Sequence, residues 1–339
     1  MRFIKHTLFC LIIFSNTCFG KEFIDLFTVL EPVENTSNIE KSINNAFNTM
    51  IYRLSGNDSP SNIWKIINAG NSRKDFIKSY SLENFDNKSF LEVNFDKNLL
   101  IDKFNQLSIP FLGNSRPVIL FLIKIDAGSS EPYILTNSDS NFDLDMDIKK
   151  YLKYISMKRG VFLELPTLDL LDINELNNYE KLINPNNFFK DKYVFDELVE
   201  VEILKTSINE WSVDGDLKFL ADDFTFDSFF MKNFHKHTKT KVDLLLKNNL
   251  IDSSQINKIN VSINNIYNFQ DYLKIKKAIE NLVTAKEITI NKFAIDTVFY
   301  EISTYGDIKY LIQDISSNNF FEILDGYENK PIIGLSYKR

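Results

Sequence analysis

The sequence predicts an α+β protein of three modules, and three observations carry that expectation. Some apolar runs alternate with charged residues, as half-buried strands do; others do not alternate and read as strands covered on both faces; between them lie apolar stripes at helical spacing. The last module has the element order of a ferredoxin-like βαββαβ layer, and the middle one reads as a mixed α/β sheet.

The first module covers residues 21–113 and opens with a strand from Phe23 to Val33. Ile39, Ile43, Ala46, Phe47, Met50, Ile51 and Leu54 then share one helical stripe. Ser37 and Glu40 have the spacing of a capping box, and Gly56 stands where a left-handed C-terminal cap is wanted. A short helix from Ser61 to Ala69 follows. Leu91, Val93 and Phe95 alternate with Glu92, Asn94 and Asp96, the pattern of a strand with one wet face. Asp96 is placed to cap a helix carrying Leu100, Phe104 and Leu107.

The second module covers residues 114–250. Val118 to Ile123 is apolar without alternation, so both faces of this strand should be covered. A helix from Ile148 to Met157 leads to a second buried strand, Val161 to Leu165, which suggests a parallel pair joined by a crossover. Val199, Val201 and Ile203 form one half-buried strand. Trp211, Val213, Leu217 and Phe219 form its hairpin partner, and a long helix from Phe229 to Asn249 closes the module. In the third module, residues 255–339, Ile259, Val261 and Ile263 mark a strand, and Tyr272, Ile275, Ile279 and Leu282 a helix. Strands follow at Glu287 to Asn291 and Ile295 to Ser303. Asp307 is placed to cap a helix with Leu311, Ile312 and Ile315, and Ile332 to Tyr337 is the last strand.

Residues 1–20 read as an export signal that is removed. Arg2 and Lys5 start it, Leu8 to Phe14 is a short apolar core, and Cys18-Phe19-Gly20 precedes a cleavage point before Lys21. The core falls short of the roughly 20 apolar residues a membrane span needs. Ser15-Asn16-Thr17 before Cys18 is no lipid-attachment pattern. These features predict a periplasmic protein with no transmembrane segment in the mature chain. Cys10 and Cys18 both lie in the leader, so the mature chain has no thiol for a disulfide, a nucleophile or a metal. Its core has to be sufficient, and 44% hydrophobic residues with 30 phenylalanines supply one. Without Arg2 and Lys5, 37 of the 39 basic residues stand against 46 acidic ones, a net charge of about −9. That balance disfavours nucleic acid and an anionic membrane as the main partner.

Few residues point to chemistry. His235 and His237 are two apart on a helix and face away from each other, so they read as part of a solvated basic face; an acidic partner docking there is the alternative. Asp139, Asn141, Asp143, Asp145 and Asp147 have the spacing of the first calcium-loop ligands. Leu144 stands where such a loop needs glycine and Lys150 where it needs a bidentate glutamate, leaving at most a weak calcium contact in a solvated acidic loop. There is no nucleophile elbow, phosphate loop or dinucleotide fingerprint. Asp169 and Asp172 form a carboxylate pair suited to acid–base work or, more simply, to turning the chain after Pro166. Trp64 and Trp211 read as core anchors. No catalytic, cofactor-binding or metal residue is assigned.

Arg53-Leu54-Ser55-Gly56, the run from Arg116-Pro117 to Leu122, and Arg159-Gly160 to Pro166 followed by Asp169 and Asp172 form a set of landmarks. With Trp211 after the segment of Tyr193 and Asp196, this set resembles the Gram-negative bacterial envelope family catalogued as domain of unknown function twenty sixty-six. The resemblance spans most of the mature chain. It departs at Phe111 and Phe121, where members often carry tryptophan. It implies a signal peptide and an envelope location, with no established reaction, cofactor or catalytic residue. The middle module is more loosely similar to α/β domains of periplasmic regulators of cell-wall synthesis and of outer-membrane secretion lipoproteins. Physically, Gly56 and Gly160 suit tight connections, and Arg116 and Pro117 the start of a buried strand.

Three functions follow as expectations. The first is a non-enzymatic module that contacts another envelope protein. The second is a binding protein for a small envelope ligand, a glycan or peptide, held in an aromatic cleft between the first and second modules. The third is a hydrolase using Asp169 and Asp172.

Overall fold

The structure, a computed structural model, describes residues 20–33, 38–85, 88–129, 131–138, 140–172, 174–176, 186–324 and 332–339. Residues 1–19 of the leader, with both cysteines, and the positions of Ser37 and Asp139 lie outside the described residues. The architecture is mixed α+β, as expected. Among the described residues, no helix is long and apolar enough to cross a membrane.

β1 (Lys21–Glu22) pairs with β5 (Ser115–Arg116), tying the start of the described chain to the connection between the first two sheets. Of the single strand expected from Phe23 to Val33, only Thr28–Pro32 forms. A turn closed by the Thr28 N–H donating to Asp25 O breaks it, and β2 (Thr28–Pro32) follows. β2, β3 (Ile77–Phe85) and β4 (Lys88–Phe95) form an antiparallel sheet in the order β2-β4-β3. α1 (Ile39–Ser55) lays Ile43, Phe47, Met50 and Leu54 on that sheet, and Gly56 ends it with φ +62°. α2 (Ser61–Asn68) and α3 (Lys97–Gln106) complete the layer, with the Asp96 carboxylate accepting from the Leu99 N–H at the start of α3. Trp64 on α2 is 58% exposed, so it is no core anchor. Ile63 and Ile66 fill the buried side of this two-turn helix.

The middle sheet runs β11-β10-β9-β6-β7, with β8 also paired to β6. β6 (Val118–Asp126) is parallel to both β8 (Phe162–Glu164) and β9 (Glu197–Ser207). Both faces of β6 are covered. Ile119, Phe121, Ile123 and Ile125 meet the helices on one side, while Leu120 packs with Leu176, Phe188 and Phe189 on the other. β7 (Tyr133–Ile134) borders it and α5 (Asn186–Lys192) precedes β9. The strand expected around Trp211 to Phe219 is a hairpin of β10 (Glu210–Gly215) and β11 (Phe219–Asp222). Gly215, at φ +97°, turns the chain where an added Cβ would lie 2.4 Å from Glu200 O. α4 (Asp143–Arg159) starts five residues before the expected Ile148, so Asp143, Asp145 and Asp147 lie in its first turns rather than in a loop. Carboxylates near a helix N-terminus are favoured by the unpaired N–H groups there. α6 (Phe226–Asn248) crosses the same face as α4.

The C-terminal sheet comprises β12 (Ile256–Asn264), β13 (Ala285–Phe293), β14 (Val298–Tyr305), β15 (Phe321–Ile323) and β16 (Ile332–Tyr337), ordered β13-β14-β12-β16-β15. α7 (Phe269–Asn281) and α8 (Ile308–Ser317) cover one face over Val261, Ile263, Ile302 and Leu335. An antiparallel βαββαβ sheet has four strands, and here there are five. β15, only three residues long, reverses the chain once more after α8, so β16 runs parallel to β12. Ile251, Val283 and Tyr305 from this half pack into the core of the first sheet. The Tyr305 ring meets Phe111 edge-on at 5.5 Å.

Candidate functional site

Most of the arginine and glycine landmarks converge. Arg53, in the last turn of α1, is buried and directs Nε to Met157 O at 2.7 Å and Nη1 to Thr28 O at 2.6 Å and Leu26 O at 3.3 Å. It thereby joins α1 to the end of α4 and to the start of β2. Burial lowers its pKa to about 10, so the guanidinium stays charged at neutral pH. Gly160 ends α4 at φ +61°, and a Cβ there would approach Arg53 Cγ to 3.3 Å. Arg159 donates from Nη2 to Gly56 O at 3.0 Å and pairs with Asp243 of α6 at 2.7 Å. Arg116 donates from Nη1 to Arg53 O at 2.8 Å. Pro117 leads into β6 and its carbonyl accepts from the Phe162 N–H.

Arg116 is wholly buried. Burial pulls its pKa to about 9 against the attraction of Asp314. The Asp314 carboxylate accepts from the Ser115 N–H at 2.8 Å and the Thr284 hydroxyl at 2.9 Å. Burial still raises it to about 6, outweighing those bonds and the pull of Arg116. A polar cavity of about 30 Å³ touches Arg116, Asp196 and Asp314, a volume that suits one water molecule. This junction fastens the three sheets together.

The other landmarks lie elsewhere. Asp169 Oδ1 accepts the N–H groups of Leu171 and Asp172, while Asp172 Oδ2 accepts that of Asp169. Lys192 pairs with Asp172, and this contact and the Asp169 N–H hold the Asp172 carboxyl below its usual range. Both carboxylates thus close the turn just after Pro166. Trp211 stacks on Phe226 at 4.7 Å and donates from Nε1 to Asp223 at 2.6 Å. The two histidines part company. His235 stacks on Tyr151 at 3.7 Å, whereas His237 keeps Nε2 buried without a hydrogen-bond partner, so the face is not simply solvated. Desolvation lowers both imidazoles. In the acidic stretch, Asp145 is fully buried and accepts from the Asn141 and Phe142 N–H groups and the Tyr133 hydroxyl, so it is committed to the helix start. Among the described residues, no three His, Asp or Glu side chains are grouped to hold a metal ion.

Directly above Arg53 lies a groove of about 510 Å³ between α1 and α4, in the size range of small-ligand sites. Its walls carry Asn45, Asn48 and Tyr52 from α1, Tyr154 and Lys158 from α4, and Glu31 from β2. Asn45, Asn48, Thr49 and Tyr52 recur at i, i+3, i+4 and i+7, a polar and aromatic stripe beside the buried one. Asn48 Oδ1 is buried without a hydrogen-bond partner, a costly arrangement unless something else donates to it. Burial raises the Glu31 carboxyl above its usual range, against a hydrogen bond from Asn45 and the charge of Lys158. Lys158 donates to the Tyr154 hydroxyl at 3.1 Å and lies over both tyrosine rings, 6.0 Å from Tyr52 and 5.3 Å from Tyr154. Flat ring faces, amides, one carboxylate (Glu31) and two cations (Arg53 and Lys158) thus converge on one concave surface. The stripe on α1 was readable in the sequence; nothing there indicated that α4 would stand opposite it. No known family model, curated protein or solved structure matches this chain.

Proposed function

We propose that the chain is an exported, periplasmic, non-enzymatic binding protein that holds a small envelope glycan in the groove between α1 and α4. The observation that carries this reading is the unpartnered Asn48 Oδ1 set among Tyr52, Tyr154, Asn45 and Glu31. Sugar rings present apolar faces for tyrosine and hydroxyl or acetamido donors for amide oxygens. The arginine landmarks then act beneath the site, fixing the angle between the helices that line it. This fits the resemblance to the envelope family of domain of unknown function twenty sixty-six, which implies location and no reaction. We retain the division into a leader, residues 1–20, and three modules, and read the last as a ferredoxin-like framework with one added strand.

Titration of the leader-free protein with soluble N-acetylated envelope oligosaccharides tests the reading. Binding should raise the melting temperature, and Tyr154→Ala with Asn48→Ala should abolish the shift without lowering the ligand-free transition. A set of such sugars that leaves melting unmoved, or variants that respond like the parent, would refute it.

The second reading, docking onto another envelope protein, is favoured by a different observation. Ile208, in the turn between β9 and β10, and Phe224, just after β11, are 86% and 99% exposed, and their neighbours are joined by the Asp223 N–H donating to Asn209 O. Crosslinking from position 224 in envelope extract should trap one defined partner if this surface is used.

A further inference from the structure

We propose that one end of the C-terminal sheet is a docking tip that inserts apolar side chains into an anionic lipid bilayer. At this end the turn joining β13 to β14 lies against the connection from β12 to α7, tied by the Ile266 N–H donating to Asp296 O at 3.0 Å. The contact brings together Tyr267, Phe269, Phe293 and Ile295, of which Ile295 is fully exposed and the other three are more than half exposed. Tyr272 bridges them, its ring 5.9 Å from Phe269 and 5.8 Å from Phe293. The next apolar residues inward, Ile266 and Val298, are buried in the core. The ridge is therefore an apolar extension of the unit beyond its own packing. Contiguous exposed apolar surface of this kind marks an interaction site.

Charge and shape select the partner. Phe269, Leu273, Lys276 and Lys277 recur at i, i+4, i+7 and i+8, so the exposed stripe of α7 passes from apolar at the tip to cationic about 10 Å behind it. Lys292 flanks the hairpin, and the Arg339 guanidinium lies over Tyr267 at 4.6 Å. The acids nearby are Asp271, paired with Arg339 at 2.9 Å, and Asp296, whose carboxylate accepts from the Thr297 hydroxyl. Glu280, 3.8 Å from Lys276, lies one turn farther from the tip. An apolar apex with a cationic collar matches a bilayer interface: rings and Ile295 enter at the headgroup level while lysines reach back to lipid phosphates. The apex is a projecting hairpin end, which a fluid bilayer accommodates without a preformed complementary hollow. The leader-free chain, at a net charge of about −9, is repelled as a whole by an anionic surface, so approach is open only through this locally cationic tip.

Flotation of the leader-free protein with phosphatidylglycerol–phosphatidylethanolamine vesicles, and with phosphatidylcholine vesicles, tests the proposal. The protein should float with the anionic vesicles, and Phe293→Ser with Ile295→Ser should weaken that binding by about tenfold or more. Lys277→Glu with Lys292→Glu should weaken binding to anionic vesicles alone. All four side chains are exposed, so unchanged melting separates lost docking from lost folding. Absence of flotation by the parent protein, or full flotation of the serine variant, would overturn the assignment. So would a dimer in vesicle-free sedimentation that the serine variant abolishes, because the ridge would then belong to a second copy.

Discussion

Where α1, α4 and β6 meet, three guanidinium groups each donate to main-chain carbonyls, whereas the C-terminal sheet seats its helices on aliphatic side chains such as Val261, Ile275, Ile302 and Leu335. Both arrangements hold helices to a sheet, but with different precision. Hydrogen bonds from a planar guanidinium are directional, so Arg53 fixes how α1 stands against α4. Aliphatic packing is non-directional and accepts volume-conserving exchange. The region that must keep two helix faces at a set distance, as a binding groove requires, is the one built on directional contacts.

The largest effect expected is that of Arg53→Met. It leaves the carbonyls of Leu26, Thr28 and Met157 without their donor, and each buried acceptor left unpaired costs about 1–3 kcal/mol. Ile302→Val, in the aliphatic core, should cost only about 1 kcal/mol. Urea denaturation of the two variants gives the comparison directly; equal midpoints would show that the guanidinium is not what holds the junction.

Asp314 sharpens the contrast through pH. Its folded pKa, about 6, stands above the 3.8 of an unperturbed carboxyl. The folded state therefore binds this proton more tightly than the unfolded chain. The resulting stabilisation is complete below about pH 4 and disappears as pH rises through 6, amounting to about 3 kcal/mol across that interval. In Asp314→Asn that component should vanish, flattening the stability profile between pH 4 and 6 relative to the parent. Superimposable profiles from chemical denaturation at each pH would contradict the burial argument. A smaller loss, about 1–2 kcal/mol, is expected for Gly160→Ala, which combines a positive φ with crowding of Arg53; thermal melting measures it.

Local signals in the sequence were the more legible ones. The stripe ending in Leu54, the Gly56 cap, the acids capping α3 and α8, and the two-sided strand from Val118 were all readable, because each depends on residues within a turn or two. The misreadings share a cause. Phe23 to Val33 and Trp211 to Phe219 keep strand-like composition through turns, one closed by Thr28 on Asp25 and one at Gly215, that the apolar pattern does not mark. β15 is too short to carry a period. Trp64 reads as a core anchor, but its helix fills its buried side with Ile63 and Ile66. The groove was half visible: Asn45, Asn48 and Tyr52 make a stripe, but Tyr154 and Lys158 belong to a helix about a hundred residues later, brought alongside by Arg53 and Arg159.

The smallest effect tests whether helices in the two regions are held from outside or at their own ends. α8 begins with Asp307, whose carboxylate accepts from the Lys309 N–H at 2.8 Å, and α7 begins with Asn268, which accepts from the Asp271 N–H at 2.9 Å. α1 begins with Asn38, which makes no side-chain cap bond, although Asn is among the best capping residues. Its orientation comes from Arg53 at the other end. Asp307→Ala should therefore cost about 1 kcal/mol, the usual worth of a cap, while Asn38→Ala should cost less than about 0.5 kcal/mol. Paired urea melts resolve the difference. An Asn38→Ala loss as large as that of Asp307→Ala would mean that α1 depends on its own N-terminus and that the junction only follows it.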